Sequence, residues 1–414
     1  MGKILRVLFC SALLGPPAWG AEAAPGATVQ SLLQWLEQGS GELAAAKFDT
    51  ASARQRAMAA GSLPDPSVRI EWLDRNGLQV LPSQPGAMKY TVLQALPGWG
   101  KRDAQKQAAS AQTAVVQEQE RALRSELRAR AKTSFARYYQ VRRALQLNDE
   151  LAQFTDAVAK LAQARYETGL VSQQDMVRAQ LEQSSSRAER IALQSAYSQE
   201  QARINALLNR FPNEALAAPE SLRPLPPSAA LEPQQLELKL AQSSPVLAGM
   251  TAQTAVAMSD LVLAEKNLTP DFVLGIGPKQ RGNNFNTWEA MLEFTVPLQK
   301  TSHGAHQNEA EQMLQGDRSR LMAAEARLMG ELREHLAALQ AAREQETLTQ
   351  QSVLPLAELA FNGALEGYRN GRVDFATLLE AKRQIQKAKL DELNARVEQQ
   401  IHLAEIERLT GEDL

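Results

Sequence analysis

A long stretch without helix-breaking residues constrains this chain more than any other feature. From Arg102 to Phe211 there is no proline, and the single glycine is Gly169. The flanks of that glycine are rich in Ala, Leu, Gln, Glu and Arg, which have high helix propensity. The pattern predicts a helical hairpin, and a helix over about 103–165 would be roughly 95 Å long. Apolar residues on the first flank recur at steps of three and four, as in a helix that packs along another: Ala104, Ala108, Ala111, Val115, Leu123, Leu127, Ala131, Phe135 and Tyr138.

The hairpin occurs twice in the sequence. The turn Tyr166-x-x-Gly169 returns 202 positions later as Tyr368-x-x-Gly371, again between long helical runs. Pro297 follows Pro97 by 200 positions. A period of this length is too long for one unit of a solenoid repeat. The sequence therefore indicates that a whole half of the protein has been duplicated.

Two regions have the two-residue period of β-strands. Apolar and polar residues alternate from Val68 to Leu73, and a similar alternation begins at Phe272. We predict a pair of strands joined by a polar loop over about 66–97 and a second pair over about 271–297. Tryptophans are expected where strands meet a membrane interface, and three of the five lie in or beside these regions: Trp72, Trp99 and Trp288.

The same observations divide the chain into a leader, two repeats and a linker. Six prolines between residues 210 and 235 mark the linker. We predict an export signal at 1–20, a first repeat at 21–209 with its hairpin at about 102–209, the linker at 210–235, and a second repeat at 236–414 with its hairpin at about 303–410.

The first twenty residues are typical of a cleaved export signal. Lys3 and Arg6 precede a short apolar core from Val7 to Leu14, and small residues follow it. The only cysteine, Cys10, lies in this core and would leave with it, and the large residues before it make a poor lipoprotein signal. No run of about 18 apolar residues follows residue 20, so we predict no transmembrane helix in the mature chain.

Composition and motifs exclude several classes of function. The net charge of −2 gives no reason to expect nucleic acid as a partner. The sequence has no Ser/His/Asp set, no phosphate-binding loop and no cysteine pair, so we predict neither an enzyme nor a bound cofactor. His303, His306 and Glu309 would share one helix face and are weak candidates for zinc or copper binding, although a solvated helix start explains them better. His335 and His402 stand alone in the sequence and are predicted to have no role.

The predicted strands need partners from other chains. Four strands cannot close into a membrane barrel, and the smallest outer-membrane barrels have eight. A dimer would supply eight strands and a trimer twelve. An ordinary soluble four-stranded sheet is the alternative, but it gives the long helices nothing to extend from. A structural coiled-coil rod of the cell envelope is a remoter alternative, since a rod has no use for strand pairs.

The order of these features resembles the TolC-like outer-membrane efflux protein family over residues 28–411. The resemblance rests on three features: the duplicated half, the two Tyr-x-x-Gly turns, and the prolines that end the strand pairs. The phrase from Leu96 to Arg102 and the run from Val353 to Ala357 are similar to the branch that serves heavy-metal exporters.

The resemblance implies a mainly α fold with a small β part. In such a homotrimer, duplicated helical hairpins form an α-barrel across the periplasm, and four strands per chain join a 12-stranded β-barrel in outer-membrane lipid. It also implies docking to a periplasmic adaptor and to an inner-membrane RND-type pump. The protein would then be a passive exit duct, with heavy-metal cations as the favoured cargo and multidrug efflux or type I protein secretion as alternatives.

The resemblance further places the two turns at the periplasmic tip of the channel. Tyr166, Gly169, Tyr368 and Gly371 are then expected to dock the adaptor. The charged residues near the turns are candidates for the gate, although solvated turn charges are the competing interpretation. The acid that the family carries on the inner hairpin falls here at Thr377. The gate candidates are Asp175, Arg178, Arg372, Asp374 and Glu380.

Overall fold

A computed structural model describes residues 24–73, 87–169, 172–281 and 284–414. The predicted export signal and Cys10 lie outside the described residues. The described part is mainly helical with one small sheet, which confirms the predicted fold class. Its elements are α1 (Val29–Gly39), α2 (Gly41–Ala60), β1 (Ser67–Leu73), β2 (Ala87–Leu96), α3 (Lys101–Glu167), α4 (Gln173–Leu207), α5 (Pro233–Ser243), α6 (Pro245–Lys266), β3 (Asp271–Arg281), β4 (Asn284–Thr295), α7 (Lys300–Leu348), α8 (Leu354–Arg369) and α9 (Phe375–Thr410).

The first hairpin consists of α3 and α4. Helix α3 has 67 residues without a break, which corresponds to roughly 100 Å. The second hairpin differs, because a π-helical turn at Thr349–Val353 separates α7 from α8. Pro355 has no backbone N–H to continue the helical ladder, and the N–H of Leu354 bonds instead to the carbonyl of Thr349. The sequence predicted a second hairpin here but gave no indication of this π-helical turn.

All four strands form one antiparallel sheet in the order β1-β2-β3-β4. The sheet joins the two halves, because β2 pairs with β3, for example Val92 with Ile276. In β1, β2, β3 and most of β4, even-numbered residues lie on one face and odd-numbered residues on the other. Most of the exposed apolar side chains of the sheet lie on the even face, Leu73 being an exception: Val68, Ile70, Trp72, Val92, Leu274, Ile276, Trp288, Leu292 and Phe294.

The odd face of the sheet is charged. The ammonium of Lys89 lies 2.9 Å from a carboxylate oxygen of Glu289 and 3.8 Å from one of Glu71. Lys279 reaches the other oxygen of Glu289 at 3.6 Å. A sheet that exposes its apolar face and groups its charges on the other has the polarity of an outer-membrane barrel wall, with lipid outside and water inside.

Each half of the chain buries its own core. Leu32, Leu127, Phe135 and Ile204 are central to the core that α1 to α4 share. A second core joins α5, α6, α7 and α9, and a third joins the ends of both hairpins. The third core brings the two predicted turns to the same end of the molecule.

A buried ion network ties the halves together near the end of α9. The ammonium of Lys132 and the guanidinium of Arg223 each lie 2.7 Å from the same oxygen of Glu407. Lys132 also contacts Asp413 at 2.5 Å. Arg223 comes from the proline-rich linker, so this network fixes the linker against both α3 and α9.

Within the described residues, one helical stretch is long and apolar enough to cross a membrane by length and composition alone, Pro233–Lys266. The prediction from uninterrupted apolar runs does not include this stretch, because Asp260 and several polar residues interrupt it. In the structure Ser244 separates the stretch into α5 and α6. Helix α6 packs along α3 and α7, as a helix of a bundle does.

Candidate functional site at the tip of the hairpins

The first turn reverses the chain through Gly169. This glycine has φ +73°, a left-handed conformation that other residues adopt at a cost. Among the residues that the structure describes, and apart from its chain neighbours, no atom lies within 4 Å of where its Cβ would be, so backbone conformation and not crowding favours glycine here. Tyr166 is exposed on the outside of this turn.

The second turn has the same backbone reversal at Gly371, with φ +71°. Its tyrosine has a different environment, because Tyr368 is 1% exposed and packs against the ring of Phe375. Burial raises the pKa of the Tyr368 hydroxyl. The two Tyr-x-x-Gly turns therefore match in backbone but not in what their tyrosines contact.

Two of the candidate gate acids take part in helix caps after the turns: Asp374 caps α9, and Asp175 lies in the first turn of α4, which Ser172 caps. The hydroxyl of Ser172 accepts a hydrogen bond from the N–H of Asp175 and donates one to its carboxylate at 2.9 Å. A carboxylate oxygen of Asp374 accepts hydrogen bonds from the N–H and the hydroxyl of Thr377, at 2.9 and 2.6 Å. Such caps satisfy backbone donors at a helix start.

The carboxylate of Asp374 is also held ionised. The hydrogen bonds from Thr377 lower the pKa of Asp374, and the positive charge of Arg178 on the other hairpin lowers it further. Arg178 therefore acts electrostatically across the gap between the hairpins.

Arg165 makes the direct connection between the two turns, and the sequence analysis missed it. Its guanidinium donates hydrogen bonds to the carbonyl oxygens of Tyr368 at 2.8 Å and Arg369 at 2.7 Å. The same group lies 5.0 Å from the centre of the Tyr368 ring, close enough for a cation–π interaction. Because the acceptors are backbone carbonyls, no residue type in the sequence indicated this contact.

Two other candidates remain on the surface. The side chain of Arg372 is exposed and makes no hydrogen bond or ion pair with any residue that the structure describes. Glu380 accepts a hydrogen bond from Gln384 on its own helix at 3.2 Å. Arg372 is thus free to contact a neighbouring molecule, while Glu380 has a local partner.

A buried ion pair joins α4 to α9 about two to three turns into each helix from the tip. The ammonium of Lys382 lies 2.9 Å and the guanidinium of Arg383 3.2 Å from the two oxygens of Glu182. Burial opposes ionisation, but these two cations lower the pKa of Glu182 overall. A polar groove of about 470 Å³ runs between the two helices beside this pair. No local signal in the sequence indicates this ion pair, because Glu182 and Lys382 are 200 positions apart.

The predicted metal candidates on α7 do not assemble into a three-residue site. His306 Nδ1 lies 3.3 Å from a carboxylate oxygen of Glu309, and both side chains are exposed. No group of three His, Cys, Asp or Glu side chains converges on one point within residues 24–73, 87–169, 172–281 and 284–414. His303 therefore does not complete a ligand set with the other two.

The model of the family described as "Outer membrane efflux protein" matches residues 32–210 and 238–412, one match in each half of the chain. This chain belongs to the outer membrane efflux protein family. Members of the family are channels rather than enzymes, lie in the outer membrane, extend into the periplasm, and work with an adaptor and an RND pump in tripartite systems.

Individual relatives agree with this assignment. The cobalt-zinc-cadmium resistance protein CzcC of Cupriavidus metallidurans is 24% identical over 378 residues, which cover 90% of this chain and 87% of CzcC. The crystal structure of CusC matches with a TM-score of 0.81 at 16% identity, covering 93% of this chain and 92% of that one. The open state of the Neisseria gonorrhoeae MtrE channel matches with a TM-score of 0.77 at 15% identity, covering 94% and 90%.

Proposed function

We propose that this efflux protein is a homotrimeric channel-tunnel that passively conducts heavy-metal cations out of the cell. An RND-type pump and a periplasmic adaptor would deliver the cations to it. The observation that carries the proposal is the sheet, with its exposed apolar face, its charged opposite face and its two edge strands. The chain itself would have no catalytic activity and no cofactor.

The edges of the sheet support the trimer. Strands β1 and β4 each pair on one side only within the described residues. Unpaired backbone groups cannot face lipid, so each edge needs a strand from another chain. Three copies would give a closed ring of twelve strands, with the even face toward outer-membrane lipid. A rod-like envelope protein, the remote alternative, would not need such a lipid-compatible face.

The division of the chain follows from the same proposal. Residues 1–20 would be removed on export. Residues 21–209 and 236–414 would be the two repeats, and 210–235 would link them at the level of the ion network around Glu407.

The tip is proposed as the docking and gating end of the channel. The turns at Tyr166, Gly169, Tyr368 and Gly371 would meet the adaptor, because they are the points farthest from the sheet along the long helices. The charged residues beside them, Asp175, Arg178, Arg372, Asp374 and Glu380, would line or hold the constriction, and we add Arg165 to them.

The relative CzcC supports heavy-metal cations as the cargo, since its name describes cobalt, zinc and cadmium resistance. Deleting the gene is expected to make cells several-fold more sensitive to at least one of cobalt, zinc, cadmium, copper or silver. Growth inhibition across a concentration series of each metal measures this. The matched control is complementation with the intact gene, which should restore resistance.

The same assay distinguishes the alternatives. If deletion changes sensitivity only to dyes, detergents or antibiotics, the channel serves multidrug efflux. If it changes only the amount of a secreted protein, the channel serves type I secretion. Either result would overturn the metal assignment and leave the channel itself in place.

A further inference from the structure

The structure brings together two histidines that are 67 positions apart. His335 lies on α7 and His402 on α9, beside the core shared by these helices. Their Nδ1 atoms are 3.2 Å apart, and their ring centres are 5.4 Å apart. Both side chains are half-buried.

We propose that His335 and His402 bind a divalent transition-metal cation such as Zn²⁺ through their Nδ1 atoms. The inference stands on this geometry and does not require metal ions to be the exported cargo. Imidazole nitrogen is a preferred ligand of zinc, copper and nickel.

The distance between the two nitrogens fits such a cation. Zinc–nitrogen bonds are about 2.0–2.1 Å, so two nitrogens at a tetrahedral angle would be roughly 3.3–3.4 Å apart. The observed separation of 3.2 Å is close to this value. Without a cation, one proton can lie between the two nitrogens as an N–H···N hydrogen bond. A cation would take the place of that proton and bind both lone pairs.

The opposite nitrogen of His402 has a partner of the type seen at metal sites. His402 Nε2 lies 3.7 Å from a carboxylate oxygen of Glu398, one turn earlier on α9. Histidines that bind metal through one nitrogen usually donate the other N–H to a carboxylate or carbonyl, which fixes the ring. Glu398 could accept this hydrogen bond from His402 Nε2 after a small shortening of the 3.7 Å distance between them.

The surrounding charges define how many ligands the protein can offer. The negative charges of Glu405 and Glu334 both act on His335, but the Glu405 carboxylate lies 2.6 Å from the guanidinium of Arg408, and no third His, Cys, Asp or Glu joins the pair among the described residues. We therefore count two protein ligands, with water in the remaining positions. Such a site is expected to bind Zn²⁺ with micromolar affinity and to clamp α7 to α9.

The test is Zn²⁺ binding to the full-length protein, purified in detergent without a polyhistidine tag. The chain has only four histidines, so the assignment can be complete. We expect one Zn²⁺ per chain at micromolar concentration. His335→Ala and His402→Ala should each weaken binding more than tenfold, and Glu398→Gln about tenfold, at the low end for an outer-shell partner.

The matched control is the double variant His303→Ala and His306→Ala, which should bind Zn²⁺ as the natural protein does. If that variant loses the binding, or if the natural protein binds no more Zn²⁺ than the His335→Ala variant, the proposal is wrong. Circular dichroism and mass measurement establish that each variant is folded.

A second measurement needs no variant. Co²⁺ added to the natural protein should give visible absorption bands shifted from those of hydrated Co²⁺, as nitrogen ligation requires, and excess Zn²⁺ should abolish the shift. A spectrum identical to that of hydrated Co²⁺ would overturn the proposal. Because both readouts use purified protein, their failure is independent of any result from the gene deletion.

Discussion

Replacing Gly277 with alanine is expected to prevent most of the protein from assembling. Gly277 lies in β3, and a Cβ atom there would sit 1.6 Å from the carbonyl oxygen of Tyr90 in β2 and 2.8 Å from the Cα of Thr91. Both neighbours are backbone, so neither can rotate away. The clash falls on the seam between β2 and β3, which joins the strands of the two halves.

The expected cost of Gly277→Ala is about 3 kcal/mol or more, at or above the upper end for overpacked sites. That corresponds to roughly a hundredfold fall in the ratio of folded to unfolded protein. The measurement is the amount of folded, heat-modifiable protein in the outer-membrane fraction, determined by gel mobility with and without boiling.

The matched control is Gly330→Ala on α7. Apart from the backbone of its own helix, no atom in the described part of the chain lies within 4 Å of the position of its Cβ, and alanine is favoured over glycine in a helix by about 1 kcal/mol. This variant should accumulate at least as well as the natural protein. Normal accumulation of Gly277→Ala would show that β2 and β3 are not paired in this register.

Removing the charged contacts at the tip is expected to open the channel. Arg165 holds the second turn through two carbonyl oxygens, and the exposed Arg372 is free to contact a neighbouring chain. One exposed contact contributes only about 0–1 kcal/mol. The contributions of three such contacts in a trimer would add, and a total of about 1.4 kcal/mol changes the equilibrium between the closed and open channel tenfold. Arg165→Ala and Arg372→Ala should therefore each raise single-channel conductance in planar bilayers.

The role of Asp175 needs a variant that separates charge from helix capping. Asp175→Ala is expected to raise conductance, to weaken the preference for cations and to weaken block by divalent cations. The reason is that a ring of negative carboxylates around the pore axis attracts cations. Asp175→Asn removes the charge but keeps a side-chain acceptor beside Ser172. This variant should weaken the preference for cations without raising conductance.

Arg130→Ala is the control for these tip variants. Arg130 is exposed on α3, far along the helix from the tip, and among the described residues its ion-pair partner is Glu126 of the same helix. Its replacement should leave conductance unchanged. If Arg165, Arg372 and Asp175 variants behave like this control, the constriction lies elsewhere in the tunnel.

Local patterns in the sequence were enough to predict much of this fold. The absence of proline and the glycine at each reversal indicated both hairpins, and the alternation around Ile70 indicated strands. These signals are local because a helix or strand is determined largely by residues a few positions apart. The pairing of β2 with β3 was not predicted from these local patterns, since the contact of Val92 with Ile276 links distant parts of the chain.

The candidate site was predictable only where a residue type carries its own signal. Gly169 and Gly371 were found because a left-handed turn favours glycine. Arg165 was missed because it binds backbone carbonyls, which every residue has. His335 and His402 were dismissed as isolated, since only the packing of α7 on α9 brings their rings together.

The mass of the detergent-extracted protein tests the central claim most directly. Light scattering corrected for detergent should give three chains. Disulfides between neighbouring chains provide a second test. A chain that carries Val68→Cys on β1 and one of Ala290→Cys, Leu292→Cys or Phe294→Cys on β4 should form disulfides from one chain to the next. A denaturing gel should then show covalent dimers and trimers. Cys10 is the only native cysteine, so a Cys10→Ser background leaves the engineered pair alone. A stable single chain with native strand content would contradict the account.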